Sequence, residues 1–245
     1  MDIIYTRDRE AALVEVEALV VGPHPDDAEI GSGGLMARWG KEGIKFGIAD
    51  LTRGEQGTNG TVEERREESR RAAEILGATW RINLQLPDGG LALDPEQVAA
   101  LVRLIRQVRP RLLLVPYWED RHPDHRAASQ LAERAHFEAG LRKVLPELEP
   151  YRPREIVYYF INRETDPSFI IDISEEYETK REAVLAHRSQ FFRENRWLPT
   201  RLNGHFPYLI ETRCRFWGAK IGAEFGEGFL VKNPLVLTDP LEIWR

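Results

Sequence analysis

Residues 18–34 read Ala18-Leu19-Val20-Val21-Gly22-Pro23-His24-Pro25-Asp26-Asp27-Ala28-Glu29-Ile30-Gly31-Ser32-Gly33-Gly34, and their order decides the fold. Ala18 to Val21 is apolar throughout and too short for a helix, which predicts a strand buried on both faces. Gly22 and Pro23 end it, the HPDD loop follows, and the glycines at 31, 33 and 34 lead into a short helical stretch from Leu35 to Lys41. A second apolar run, Ile44 to Leu51, completes a β-α-β unit.

Downstream the alternation continues. Thr61 to Leu76 reads as a charged helix closed by Gly77 at a C-cap position, and Ile82 to Leu86 as a strand. Asp94-Pro95-Glu96 supplies an N-cap, a proline at N1 and an acid in the first turn, before Val98, Leu101, Val102, Ile105 and Val108 recur at helical spacing; Arg109-Pro110 stops the helix. Leu112 to Tyr117 is the next apolar strand. At its end stands a second polar cluster, Glu119-Asp120-Arg121-His122-Pro123-Asp124-His125, ahead of a helix from Arg126 to Ala139. Beyond it come strands near Ile156 to Ile161 and Phe169 to Ile173, a helix from Glu175 to about Gln190, and another over Pro207 to Gly218. The expectation is an α/β, Rossmann-like three-layer fold: one domain over residues 1–245, with a mostly parallel central sheet flanked by helices. Arg193 to His205, with Trp197, Pro199 and Gly204, is the candidate lid.

Composition bounds the function. With 42% hydrophobic and 30% charged residues over 245 positions the chain is of ordinary globular type rather than disordered. No apolar run approaches the roughly 20 residues of a membrane span. The N-terminal MDIIYTRDRE has no apolar signal region, which together with the single cysteine, Cys214, points to a reducing, cytoplasmic setting. Lys plus Arg total 34 against 40 for Asp plus Glu, a formal charge of −6, which disfavours nucleic acid as partner. One cysteine cannot build a thiolate cluster, so a metal site here must use histidine and carboxylate.

In open α/β sheets ligands sit beyond the carboxyl ends of the strands where strand order reverses, and both polar clusters follow strands. His24 and Asp27 lie three apart on a tight turn that can point both to one side; His122 and His125 repeat that spacing, and either would complete a three-ligand set. Two histidines, an aspartate and an open fourth position form a catalytic zinc pattern, in which the bound water has its pKa lowered to about 7; other divalent ions tolerate the same donors. A single His-Pro-Asp reads equally well as a turn with the aspartate as cap; two copies at two strand ends favour a cation. The glycines at 31, 33 and 34 lack the G-x-G-x-x-G order, and an acidic loop would repel pyrophosphate, so they read as sites where the helix packs closely against the loop. His136 and His187 read as surface or core residues, His205 stays open, and Cys214 reads as a small buried apolar residue.

HPDDAEIGSGG after the first of these strands and HPDH after the fourth resemble the PIG-L/LmbE superfamily of zinc-dependent N-deacetylases. DLTRGEQGTNGT, the helix carrying Arg65 and Glu68, NLQLPDGGL, EPYRP, the DIS at Asp172 to Ser174 and HRSQF share the resemblance, which covers nearly the whole chain. It is strongest to the branch of bacillithiol-biosynthesis deacetylases, which remove acetate from the N-acetylglucosamine unit of a malate glycoside; relatives act on a mycothiol precursor, chitobiose or phosphatidylinositol glycans.

The resemblance implies roles. His24, Asp27 and His125 would bind Zn2+, and Asp26 would be the general base. His122 would be protonated, stabilising the tetrahedral oxyanion and donating to the leaving amine, with Asp124 hydrogen-bonded to its ring. Arg65 and Asp88 match positions that grip sugar hydroxyls; Arg53 and Arg152 are candidates for the substrate's carboxylate side. The family often places a tyrosine in its late loop, where this chain offers Tyr208, and its members are commonly homo-oligomers, often hexamers. The rival class is a non-catalytic α/β module that binds a sugar or nucleotide.

Overall fold

The computed structural model describes residues 1–7, 13–192 and 198–236. Among them, eight strands form one sheet: β1 (Asp2–Thr6), β2 (Ala18–Gly22), β3 (Phe46–Thr52), β4 (Trp80–Leu86), β5 (Leu112–Pro116), β6 (Glu155–Tyr159), β7 (Phe169–Asp172) and β8 (Gly226–Leu230). Their order is β1-β4-β3-β2-β5-β6-β8-β7. β2 to β6 are mutually parallel, while β1 on β4, and β8 on both β6 and β7, pair antiparallel.

Seven helices cover the sheet among the described residues: α1 (Asp27–Glu42), α2 (Val62–Leu76), α3 (Pro95–Val108), α4 (Pro123–Ala139), α5 (Tyr177–Leu185), α6 (Arg188–Phe191) and α7 (Phe206–Ile221). The pleat divides the core. Ala18 and Val20 of β2 face a cluster with Met36 of α1, Ala73 of α2, Ala183 of α5 and Ile210 of α7. Leu19 and Val21 face the other way, onto Leu101 and Ile105 of α3 and Leu131 of α4. The Rossmann-like three-layer expectation is met.

Several element boundaries differ from the sequence reading. α1 begins at Asp27, inside the HPDD motif, and breaks at Ser32 (φ −140°, ψ 20°). The backbone donors released there are met by one carboxylate: Gly34 and Leu35 N–H donate to Glu227 of β8 at 2.7 and 2.8 Å, and Lys180 pairs with the same group at 2.6 Å. The neighbouring glycines do permit close packing, but against side chains rather than the loop: a Cβ on Gly31 would overlap the Tyr159 ring, and one on Gly34 would crowd Ile173. The single helix expected over Glu175 to Gln190 is two, α5 and α6, separated at Ala186 and His187. α4 starts at Pro123, three residues early, with His122 as its N-cap. β1 and β8 had no counterpart in the sequence reading.

Strands β3 and β4 lie on one side of β2, and β5 and β6 on the other. The order therefore reverses between β2 and β5, the two strands that carry the HPDD and HPDH loops at their carboxyl ends.

Candidate active site

The two loops meet. Asp27 Oδ2 stands 3.0 Å from His24 Nδ1 and 3.2 Å from His125 Nε2. These three donor atoms lie within 4.8 Å of one another, as do those of a second set, His24, His122 and Asp124. In the first set each ring has a carboxylate behind it: His125 Nδ1 lies 3.2 Å from Asp120 Oδ1, while His24 Nε2 faces Asp88 Oδ1 at 3.1 Å and Asp124 Oδ2 at 3.3 Å. Imidazoles backed by carboxylates, converging on a third carboxylate, fit a divalent ion that accepts nitrogen and oxygen donors.

The electrostatics agree with that fit. Burial raises the proton affinity of Asp27, but the charges and hydrogen bonds of His125 and His24 outweigh this and hold its carboxyl far below the usual range. Burial opposes a charged His125, yet Asp27's charge and its hydrogen bonds with Asp120 and Asp27 push it up to about 9; His24 is raised for the same reason by Asp124, Asp27 and Asp88. The carboxylates thus hold cationic charge on the two rings, charge a metal ion would supply while displacing the protons.

Asp26 differs. Burial pushes its pKa up to about 7 against the opposing pull of Arg65, which places a proton acceptor near neutrality beside the triad. Its backbone is held at φ 116°, ψ −29°, a left-handed conformation disfavoured for any residue with a Cβ. Arg65 holds the loop, donating to Pro25 O at 2.6 Å and Gly54 O at 3.0 Å, with Asp26 Oδ2 3.5 Å away. Lower on α2, Glu68 accepts from Ser189 N–H and Oγ–H at 2.6 and 2.7 Å. The Arg65/Glu68 helix and HRSQF therefore brace the loop together.

Four residues, Asp124, His122, Arg53 and Arg152, differ from the sequence reading. Asp124 does not reach the His122 ring: its carboxylate takes Gly89 N–H at 2.7 Å and faces His24, while its own N–H donates to His122 Nδ1 at 3.2 Å. His122 is not held protonated either; burial, then the charges of His125 and His24, lower its pKa. With Nδ1 accepting, neutral His122 carries its hydrogen on Nε2. Arg53 points away, its guanidinium 3.9 Å from Glu55 and lining a different small pocket with Asp2 and Arg66. Arg152 lies at the far end of α4, stacked on Phe137 and donating to Phe137 O at 2.8 Å. Phe137 is twelve residues beyond His125, roughly 18 Å at the helical rise per residue, because the turn after α4 needs that side chain.

His24, Asp26, Asp27, Arg65, Asp88, His122 and His125 line one cavity of about 330 Å3 together with Asn162, Leu202 and Phe206, near the low end of the roughly 300–1,000 Å3 of small-molecule sites. Asp88 has both oxygens engaged, on His24 and on Gln56 N–H at 2.8 Å, and its pKa is about 2, because those bonds outweigh burial. Tyr208 is 69% exposed and is not among the residues lining the cavity. Of the candidate lid, residues 193–197 lie outside the described residues; Leu198 is tied through N–H and C=O to the Asn59 side chain at 2.8 and 2.9 Å.

Asp120 was missed. It accepts from His122 N–H, Asn162 N–H and Asn162 Nδ2 at 2.8, 2.9 and 3.1 Å, so one carboxylate fixes the His125 tautomer, the start of α4 and the loop after β6. Its signal was present: an acid two residues before the HPDH histidine at a strand end, the place for a ring-orienting partner.

Fold and site together define an α/β protein with a candidate cation site beside a buried carboxylic acid at its switch point. The family model described as GlcNAc-PI de-N-acetylase (PIG-L) matches residues 19–136. A diacetylchitobiose deacetylase of Thermococcus kodakarensis is 34% identical over 227 residues, covering 86% of this chain and 81% of the relative. A probable N-acetyl-α-D-glucosaminyl L-malate deacetylase of Bacillus subtilis is 29% identical over 208 residues, covering 78% and 90%. The solved structure of a conserved protein from Thermus thermophilus superposes with a TM-score of 0.84 at 43% identity, covering 91% of this chain and 97% of that one. The chain belongs to the PIG-L/LmbE superfamily of deacetylases.

Proposed function

We propose that this chain is a metal-dependent N-deacetylase that hydrolyses the acetamide of an N-acetylglucosamine conjugate to acetate and the free amine. The carrying observation is that Asp26, a buried carboxylic acid, lines the same small cavity as the His24–Asp27–His125 cluster. Bound at those three residues, Zn2+ or another divalent ion would polarise the amide carbonyl and lower the pKa of water.

The chain's own residues supply the rest. Asp26 accepts the proton of the attacking water and returns it to the departing amine, a task suited to a buried carboxylate beside the cluster. Neutral His122 donates its Nε2 hydrogen to the oxygen that gains charge; a preorganised donor serves this without being ionised. Arg65 keeps Asp26 in place. Asp88 accepts a sugar hydroxyl through its remaining lone pairs. Asp120, Asp88 and Asp124 orient the two imidazoles.

The preferred conjugate is N-acetylglucosaminyl malate, on the motif resemblance to the bacillithiol branch and the 29% identical relative whose name carries that activity. Diacetylchitobiose is the second reading, favoured by the 34% identical relative that bears that name. Of the non-catalytic sugar- or nucleotide-binding alternative, the nucleotide form is disfavoured, since three aspartates, 27, 88 and 124, face His24. No helix among the described residues is long and apolar enough to cross a membrane; a cytoplasmic, single-domain homo-oligomer, up to a hexamer, completes the reading. The test is amine release from N-acetylglucosaminyl malate and from diacetylchitobiose at equal concentration by the zinc-loaded protein. Release from the malate glycoside at higher kcat/KM supports the preferred branch, and release from neither overturns the deacetylase reading.

A further inference from the structure

The break in α1 at Ser32 cuts off the short stretch that carries Asp27, and the groups that fill the break reach across the site. In an unbroken helix Ile30 O would take the Gly34 N–H. Here that N–H goes to Glu227 at 2.7 Å, and Ile30 O receives Lys180 Nζ at 2.9 Å and an amino group of Arg213 at 3.2 Å. Lys180 also bonds Glu227, at 2.6 Å. An ion pair therefore stands where one backbone hydrogen bond would be, and Gly33 makes room for it: a Cβ there would lie 2.8 Å from Lys180 Cγ. Basic side chains are the usual complement of a carbonyl left open at the end of a helical segment.

Arg213, on α7, does more than close that segment. Its other amino group donates to Ile161 O at 2.7 Å. Ile161 precedes Asn162, whose N–H and Nδ2 donate to Asp120, the carboxylate behind His125. Ile30 lies three residues after Asp27 on the cut-off stretch, with its N–H on Asp26 O at 3.0 Å. One guanidinium thus spans from the segment carrying Asp26 and Asp27 to the loop that orients His125, and both of its carbonyl acceptors belong to residues lining the active-site cavity.

Arginine suits this task. Its planar fork presents two amino groups at a fixed spread, one to each carbonyl, where an ammonium offers a single point. The Arg213 side chain is 9% exposed, and its buried Nε has no partner among the described residues. A buried donor left unmet is destabilising, so packing alone would favour an apolar side chain at this position.

We infer that Arg213 is a positioning residue, a strut that holds the His24–Asp27 side of the cluster against the His125 side. The inference rests on the deacetylase reading only in taking those three residues as the ligands of its ion. Because the start of α1 is separated from the rest of the helix, its place relative to His125 is set by cross-connections of this kind and not by the helix axis. Ligand spacing is what the strut controls, so the affinity and coordination of the ion respond to its loss.

The test compares Arg213→Lys and Arg213→Met with Arg106→Lys as control. Arg106 is a buried arginine that likewise donates to carbonyls, Ala139 O and Leu141 O, but at the far end of α4. Zinc affinity is measured by competition with a chelating dye, coordination by the visible absorption of the Co2+-loaded protein, and folding by thermal melts of the metal-free form. Arg213→Lys, which keeps the charge and the fold, is expected to bind zinc about 10- to 100-fold more weakly and to shift the cobalt bands; Arg213→Met should lose at least as much. Arg106→Lys should melt lower while keeping the parent's zinc affinity and cobalt spectrum. Unchanged affinity and spectrum in both Arg213 variants, or an equal loss of affinity in Arg106→Lys, overturn the strut, whether or not the parent releases amine. Weakened zinc binding in the Arg213 variants of a protein that, zinc-loaded, releases no amine from either glycoside overturns the deacetylase reading and leaves the strut standing.

Discussion

Asp120 Oδ1 lies 3.2 Å from His125 Nδ1, while Nε2 of that ring faces Asp27 Oδ2 at the same distance. A carboxylate on one nitrogen commits the other to a ligand's role and makes the ring a better donor. Asp120→Ala should therefore weaken zinc binding about 10- to 100-fold, whereas His125→Ala should abolish it. Competition against a zinc-chelating dye distinguishes the two; unchanged affinity in Asp120→Ala would show that the ring needs no such partner.

Asp26 combines the carboxyl of the proposed general base with an unfavourable backbone, and the two can be separated. Asp26→Gly should retain zinc and lose about 10²- to 10⁴-fold in turnover, the usual size of a general-base contribution. Its metal-free form should melt no lower than the parent, because glycine adopts φ 116° without strain. Zinc content, amine release and thermal melts on the same preparation decide this, and full activity would remove Asp26 from the mechanism.

Without metal, stability should fall as pH rises, and the sign follows from the shifts. The His125 pKa is raised from 6.5 to about 9, so its contribution is complete below 6.5 and is lost as pH climbs through 9; His24 acts in the same sense. Asp26, raised from 3.8 to about 7, loses its contribution at lower pH, between those values. Chelator-treated protein should thus melt progressively lower between pH 6.5 and 9, and saturating zinc should remove that slope. A metal-free protein whose melting temperature is flat or rising over this range would contradict the charges assigned to the two rings.

The α1 glycines carry a packing prediction. Gly31→Ala places a methyl inside the Tyr159 ring, whose hydroxyl donates to Val21 O at 2.7 Å just ahead of the HPDD loop. Overpacking of this kind costs about 1–3 kcal/mol, so a clear drop in melting temperature is expected on thermal denaturation. No drop would mean that the ring moves freely.

The central strands and the two His-Pro-Asp loops are legible in sequence because apolar runs, proline and histidine spacing are local signals. Convergence of His24 with His125 follows from the switch-point rule once both loops are placed at strand ends. What sequence does not reveal depends on side-chain direction or on distant partners. Asp124 can face His122 or Gly89, and only the fold shows that the Gly89 N–H wins. Arg152 in a turn can point to either end of α4, and packing on Phe137 decides it. β8, with Gly226 and Gly228 in five residues, reads as a turn until β6 and β7 are seen to pair with it on both edges. The break at His187 is set by burial of that ring beside Glu29, 3.3 Å away, not by any local helix stop.

The most direct measurement of the central claim is amine release from N-acetylglucosaminyl malate and diacetylchitobiose by protein first stripped with chelator and then titrated with zinc. The account expects turnover to vanish on stripping and to return with one ion per chain, in the parent but not in His24→Ala or His125→Ala. Turnover that survives complete metal removal, or that returns fully in those variants, would contradict it.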